Sequence, residues 1–283
     1  KIQDGCNYNC SFCTIPLARG RSRSDSIVNT VNIAQQIADT EAREIVLTGV
    51  NIGDYGVDSN EDFLQLIQAL DNVDGIDRFR ISSIEPNLLS DEIVTFCAQS
   101  KKFVPHFHIP LQSGTDFILR RMKRRYDTAL YLSKIEKINN LMPDCCIGVD
   151  VIVGFPGEGE EDFITTRSFL HNLDISYLHV FTFSERLNTE AANLDNQVSQ
   201  EEKAYRSKIM HKLSDEKRYT FQNKFLTQIR PVLFERSLDG INQGYTDNYI
   251  RVHVEADMNY DNRLLEVTLN KNHGPHMNGR VTD

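Results

Sequence analysis

The chain has 283 residues, of which 40% are hydrophobic and 25% charged, the make-up of an ordinary globular protein with room for one large domain and a smaller second one. A formal charge of -9 excludes a general attraction to nucleic acid, so an RNA partner has to be met by local basic patches. No apolar run approaches a membrane span and nothing resembles a secretory signal, so no membrane partner is expected and the thiols are expected to stay reduced in the cytoplasm.

Residue 1 is Lys and a strand-like segment begins at once, so the sequence reads as a fragment whose N-terminal part is missing. Short apolar runs at residues 1–4, 44–48, 78–82, 106–109, 147–153 and 177–181 are expected strands. Between them lie helical patterns. Ile27, Val28, Val31, Ala34, Ile37 and Ala38 repeat at helical spacing behind an expected cap at Asp25, and Phe163, Ile164, Leu170 and Leu173 do so later. Ser199-Gln-Glu-Glu202 is a capping-box pattern that opens a long charged helix to about Phe221. The alternation predicts an α/β fold, a partial (β/α)6 barrel short of the eight units that close a full one. Beyond it the period becomes two: Ile250, Val252 and Val254, then Leu265, Val267 and Leu269, alternate with polar residues. That pattern predicts a small antiparallel β-barrel, with domains at 1–221 and 222–283.

Straight after the first strand comes Asp4-Gly-Cys-Asn-Tyr-Asn-Cys-Ser-Phe-Cys-Thr14, which puts Cys6, Cys10 and Cys13 on one loop. Three thiolates so placed can hold an iron–sulfur cluster at three corners and leave one iron open to an outside ligand. A structural zinc site wants four ligands, yet no second cysteine pair comes after them and the next histidine is His106. The spacing, with Phe12 before the last cysteine, resembles the signature of the radical S-adenosylmethionine enzymes, in which the cofactor's amine and carboxylate close the open iron. Cys97, Cys145 and Cys146 lie in apolar runs and are expected to be buried as small hydrophobes.

In barrels of βα units the active site lies at the C-terminal strand ends. The cysteine loop falls there, and so do the polar or glycine-containing runs 48–51, 82–85, 110–114, 154–158 and 182–186. This rim suits a polar, positively charged ligand such as S-adenosylmethionine. A phosphate loop at Gly154-Phe-Pro-Gly-Glu-Gly159 is rejected: its glycine order is wrong, and Glu158, Glu160, Glu161 and Asp162 at the start of the next helix would repel phosphate. His106 and His108 share one strand face, which two ligands alone do not make a metal site; hydrogen-bonded histidines are expected. Basic clusters stand at residues 19–23 and 120–125, and each is read either as RNA contact or as a solvated charge run. The C-terminal part is near balance, with 7 basic against 8 acidic residues, so RNA binding there needs a local face containing Tyr245, Tyr249 or Arg251.

These residues resemble the methylthiotransferases among the radical enzymes. The resemblance spans essentially the whole chain: Lys1-Ile-Gln-Asp-Gly-Cys6, Leu47-Thr-Gly-Val-Asn51, His106-Phe-His-Ile-Pro-Leu-Gln-Ser-Gly114 and Asp150-Val-Ile-Val-Gly-Phe-Pro-Gly-Glu158, with Gly244-Tyr-Thr-Asp-Asn-Tyr-Ile-Arg-Val252 similar to the RNA-binding TRAM domain. The branch most resembled acts on N6-threonylcarbamoyladenosine beside the tRNA anticodon; near relatives act on isopentenyl-adenosine or on a ribosomal-protein aspartate. The resemblance implies a [4Fe-4S] cluster on Cys6, Cys10 and Cys13, S-adenosylmethionine as cofactor, and transfer of a methylthio group to C2 of the adenine after hydrogen abstraction. It implies tRNA and an electron donor such as a flavodoxin or ferredoxin as partners. By motif position Phe12, Gly49, Asn51, Glu85, Gln112, Ser113 and Asp150 would line the cofactor. The family also carries an N-terminal domain with a second [4Fe-4S] cluster, which is expected to belong to the part missing from this fragment. It more often has Tyr at position 183 and Gly at 188, where this chain has Phe183 and Asn188. A reading from another class is an RNA-binding module whose cysteines hold a structural metal.

Overall fold

The computed structural model describes residues 1–282. In chain order it runs β1 (Gln3–Asp4), α1 (Ile15–Arg19), β2 (Arg23–Ser24), α2 (Ile27–Ala38), β3 (Glu44–Leu47), α3 (Phe63–Leu70), β4 (Arg78–Ile81) and α4 (Asp91–Gln99). Then come β5 (His106–His108), α5 (Asp116–Arg121), α6 (Thr128–Leu141), β6 (Cys146–Val153), α7 (Glu160–Asn172), β7 (Tyr177–Thr182) and α8 (Gln200–Asn223). The last part is all strand: β8 (Ile229–Leu238), β9 (Ile241–Thr246), β10 (Arg251–Glu255), β11 (Leu264–Asn272) and β12 (Met277–Val281).

β3 pairs parallel with β4, and β5, β6 and β7 form a second parallel ladder. Parallel bridges Phe79–Phe103 and Ser83–His108 join the two, and the Ile2 amide donates to the Thr48 carbonyl at 2.8 Å, which brings β1 beside β3. The result is one curved wall of parallel strands with helices outside, the expected partial barrel. Along β6, Ile147, Val149, Val151 and Val153 enter the main core with Leu66, Leu70 and Ile138 of the helices. The alternate residues Cys146, Gly148, Asp150 and Ile152 therefore face the lumen.

Local chemistry sets the ends of the elements, not always as the sequence suggests. α2 is capped by Ser26, whose hydroxyl accepts from the Asn29 amide at 3.2 Å, while Asp25 accepts from the Ser26 amide one residue earlier. Ser199 caps α8 by accepting from the Glu202 amide at 3.2 Å, but the Glu202 carboxylate turns to Arg206 instead of closing the box. Glu158 is not part of α7. It is buried, accepting from the Gly154 amide at 2.9 Å and from Arg206 at 2.6 Å. The amide a phosphate would need is thus taken by the loop's own carboxylate. β2, which pairs antiparallel with β1, starts at the last residue of the first basic cluster and has no apolar pattern to announce it.

The final strands close a barrel in the order β10-β12-β11-β8-β9 around Val232, Phe234, Val252, Val267, Leu269 and Met277, antiparallel as expected except that β10 and β12 pair parallel. Gly244 lets β9 press on β8, since a Cβ there would lie 2.3 Å from the Leu233 carbonyl oxygen. Residue 222 falls in the last turn of α8, and Phe221 and Phe225 on either side of it belong to the small barrel's core. The small barrel docks under the beginnings of the large barrel's strands. Arg230 bridges Asp144, just before β6, and Asp247 at 2.7 and 2.8 Å, and Arg78, at the start of β4, donates to the Tyr245 carbonyl at 3.3 Å. Glu44 holds Arg78 and Arg80 together at this seam. Burial raises the Glu44 pKa, yet Arg80 and Arg78 outweigh burial and hold it below the usual range. No helix among the described residues is long and apolar enough to cross a membrane.

Candidate metal and cofactor site

The cysteine loop leaves β1 through Gly5, at φ +71°, where a Cβ would lie 2.0 Å from the Arg21 carbonyl oxygen. Only glycine fits that turn. The loop is then tied down from several sides. The Cys6 amide donates to Gly20 at 3.1 Å, the Ser11 amide to Met122 at 3.1 Å, the Ser11 hydroxyl to Arg121 at 2.8 Å, and the Ala191 amide to Ser11 at 2.8 Å. Each sulfur receives one donor: the Tyr8 amide to Cys6 at 3.3 Å, Arg124 Nη1 to Cys10 at 3.1 Å, and the Ile15 amide to Cys13 at 3.4 Å. Hydrogen bonds to sulfur of this kind favour thiolate and tune a bound cluster. Without a metal, burial pushes the Cys6 and Cys10 thiols up, with Arg124 opposing the rise at Cys10. Loading a metal must therefore release protons.

Arg124 is the site residue that sequence reading missed. Its side chain is 5% exposed and forks between Cys10 and Glu85, while Nε donates to the Tyr126 hydroxyl at 3.0 Å. Burial raises the Glu85 carboxyl and Arg124 opposes that rise. The neighbouring basic residues brace the cysteine loop and the loop that follows β6. Arg125 lies 3.9 Å over the Tyr8 ring and donates to the Asn7 carbonyl, and Arg121 Nε donates to the Pro156 carbonyl at 3.2 Å. Three of the five basic residues of the second cluster are thus engaged within the protein, although Arg125 stays exposed. In the first cluster Arg19 and Arg21 are exposed, and Arg23 pairs with Asp4 at 2.7 Å.

The motif-derived cofactor residues divide into groups. Phe12 meets Phe155 edge-on at 6.3 Å, and Phe155 meets Phe183 at 5.3 Å, an aromatic wall beside Cys13. Asn51 donates to Asp54 at 3.0 Å, and its carbonyl oxygen is buried without a partner. Asn87 is alike: its amide donates to the Tyr8 hydroxyl at 2.6 Å and its carbonyl oxygen is an orphan. Asp54, whose carboxyl burial pushes up, acts on Cys6 through space. These acceptors beside the cysteine loop lack a donor, which is what a cationic ligand brings. Gln112 holds φ +72°, a strained value for a side chain of its size, fixed by its amide on the Asp150 carbonyl at 2.8 Å and by the Ile152 amide on its carbonyl at 2.9 Å.

Gly49 and Ser113 are turned inward. A Cβ on Gly49 would lie 2.9 Å from Gln3 Oε1, which accepts from the Val50 and Asn51 amides, so this glycine shapes the loop. Ser113 is fully buried, with its hydroxyl 3.3 Å from that of Thr166. Asp150 lies deeper in the lumen, 2.7 Å from His108 Nε2. His179, its register partner on β7, brings a third donor group, all within 4.8 Å of one another. His106 is buried separately against the Tyr177 hydroxyl at 3.3 Å, so the two histidines of β5 are hydrogen-bonded apart and do not share a ligand. Cys97, Cys145 and Cys146 are buried and unpaired with one another. Asn188, where the family favours glycine, has φ +65°, a conformation asparagine tolerates.

Residues 1–170 match the sequence profile of the Radical SAM superfamily. Threonylcarbamoyladenosine tRNA methylthiotransferase MtaB of Bacillus subtilis (strain 168) is 37% identical across 99% of this chain and 64% of its own length. The protein of the same description from Aquifex aeolicus (strain VF5) is 36% identical over 90% of the chain and 62% of its own length. The tRNA-2-methylthio-N(6)-dimethylallyladenosine synthase of Endomicrobium trichonymphae is 34% identical over 95% of the chain and 64% of its own length. The chain thus spans less than two thirds of these relatives. Among solved structures, the radical S-adenosylmethionine methyltransferase TsrM from Kitasatospora setae, with cobalamin and a [4Fe-4S] cluster bound, aligns with TM-score 0.54 at 15% identity, over 68% of this chain and 37% of that one.

Proposed function

Because the chain belongs to the radical S-adenosylmethionine superfamily, we propose that it is the cluster-bearing and RNA-contacting part of a tRNA methylthiotransferase acting at C2 of N6-threonylcarbamoyladenosine beside the anticodon. The observation that carries this reading is the loop of three sulfurs, each with its own hydrogen-bond donor, at the strand ends of a partial barrel. The donor set fits a [4Fe-4S] cluster with one open iron: three thiols, and Glu85 engaged by Arg124 instead of competing for metal. The orphan carbonyl oxygens of Asn51 and Asn87 fit the ammonium of S-adenosylmethionine. Bound there, the cluster and cofactor supply reductive, hydrogen-abstracting chemistry.

The chain's own residues prepare that site. Arg124 places a positive charge and a hydrogen bond on Cys10 and opposes the rise that burial imposes on the Glu85 carboxyl. Phe12, Phe155 and Phe183 form an aromatic wall that would shield a cofactor bound beside the cysteine loop from water. The His108–Asp150 hydrogen bond fixes both side chains in the lumen below the strand ends, where they would face a bound substrate base. The C-terminal barrel is read as the TRAM-like element that grips tRNA, and a flavodoxin or ferredoxin is the class of electron donor expected. The relatives of two named substrates support the family equally; 37% against 34% identity favours the threonylcarbamoyl branch. The test uses the full-length protein with tRNA bearing either modification. Gain of a methylthio mass on the threonylcarbamoyl tRNA is expected, and gain on the isopentenyl tRNA alone would reverse the assignment.

A further inference from the structure

At the seam between the two barrels lies a cavity of about 230 Å³ whose lining includes His179, Arg218, Gln222, Tyr249 and Arg251. Its chemistry runs against that of the chain. The protein carries a net charge of -9, yet no Asp or Glu lines this cavity and two arginines do. Arg251 is bonded to the neutral Gln243 at 2.8 Å, and Arg218 to the exposed Asp215 at 3.2 Å, so neither charge is buried in an ion pair. Gln222 is 3% exposed and its side-chain carbonyl oxygen has no hydrogen-bond partner. A buried acceptor left unsatisfied is costly unless a ligand brings a donor. The cavity therefore asks for a ligand with an anionic group for the guanidiniums and an N–H or O–H for Gln222.

The cavity and the lumen share His179. The His179 ring lies 5.1 Å from that of His108, which is bonded to Asp150. From His179 to the end of β7 at Thr182 is three residues of strand, about 10 Å at ~3.3 Å per residue. That is comparable to the reach from C2 of a purine to the far end of a long N6 substituent. Resting on the substrate class read above, we propose that this cavity is the subsite for the N6-threonylcarbamoyl arm, with Arg218 and Arg251 on its carboxylate and Gln222 accepting from its hydroxyl or ureido N–H. An isopentenyl arm offers neither group, so the cavity separates the two substrates of the related enzymes.

The test is equilibrium binding of three nucleosides to the 283-residue chain: N6-threonylcarbamoyladenosine, its methyl ester, and N6-isopentenyladenosine. The wild type is expected to bind the free acid best. Arg251→Gln and Arg218→Gln, both at solvent-accessible side chains, are each expected to weaken the acid about tenfold to a hundredfold, as for one lost charge-assisted hydrogen bond. Binding of the ester and the isopentenyl compound should stay unchanged, which a merely structural role would not produce. Undiminished preference for the acid in both variants overturns the subsite while leaving the substrate reading intact. No preference for the acid in the wild type also overturns the subsite. A wild type that prefers the isopentenyl compound overturns the substrate reading and the subsite with it.

Discussion

Replacing Arg124 with Met keeps the bulk of the side chain and removes one buried positive charge next to the cysteine loop. The guanidinium lies 3.1 Å from the Cys10 sulfur and is also bound to Glu85. At an effective dielectric of ~20, a unit charge about 4 Å from a second one is worth roughly 4 kcal/mol. The nearby Glu85 charge cancels part of this, which leaves about 1–3 kcal/mol acting on an added electron. For a one-electron couple that is about 40–130 mV. Positive charge favours the reduced, more negative cluster, so Arg124→Met lowers the reduction potential of the reconstituted cluster. Glu85→Gln removes the opposing charge and raises it. The assay is an anaerobic redox titration monitored by electron paramagnetic resonance, with iron content confirming equal loading. Shifts of the same sign in both variants, or no shift in either, would rule out the electrostatic role given to this pair.

Gly5→Ala should abolish cluster loading while leaving the small barrel folded, because a Cβ meets the Arg21 carbonyl oxygen at 2.0 Å; unchanged iron and sulfide content would speak against this. Tyr131→Phe should destabilise the large barrel by about 1–3 kcal/mol in urea unfolding, since the buried hydroxyl donates to the Ile109 carbonyl at 2.8 Å and its loss leaves that carbonyl unsatisfied. The seam between the barrels should weaken in acid. Arg80 and Arg78 hold Glu44 below its ordinary 4.5, so its contribution is complete above that value and is lost as pH falls below it through the depressed one. Glu44→Gln removes that dependence, as thermal melts across the acid range can show; an identical acid profile would count against it.

How much could be read from the sequence depends on how local the signal is. The cysteine loop is a contiguous motif, and the strands of the large barrel and the alternation in β10 and β11 are periodic patterns, so each could be read directly. Arg124 could not: within a run of basic residues nothing distinguishes the one whose side chain turns inward to Cys10 from Arg120, which stays exposed. Glu158 looked like a helix-start acid and is instead a buried partner of Arg206, on a helix that begins some forty residues later. Gly49 and Ser113 sit in motif positions next to the rim, in loops that pack them against Gln3 and Thr166. His179 joins His108 and Asp150 only through strand register. In every case the missing information is a long-range pairing, which periodicity and spacing do not encode.

If Cys6, Cys10 and Cys13 hold a redox-active cluster whose fourth iron takes S-adenosylmethionine, the reduced protein must cleave that cofactor. The decisive measurement is anaerobic reconstitution with iron and sulfide, reduction by dithionite, and chromatographic detection of 5′-deoxyadenosine on adding the cofactor. 5′-Deoxyadenosine is expected to form with the wild type and to be absent with Cys10→Ala. A wild-type protein that takes up zinc in place of iron, or that loads iron but leaves the cofactor intact, would overturn the assignment of the three cysteines.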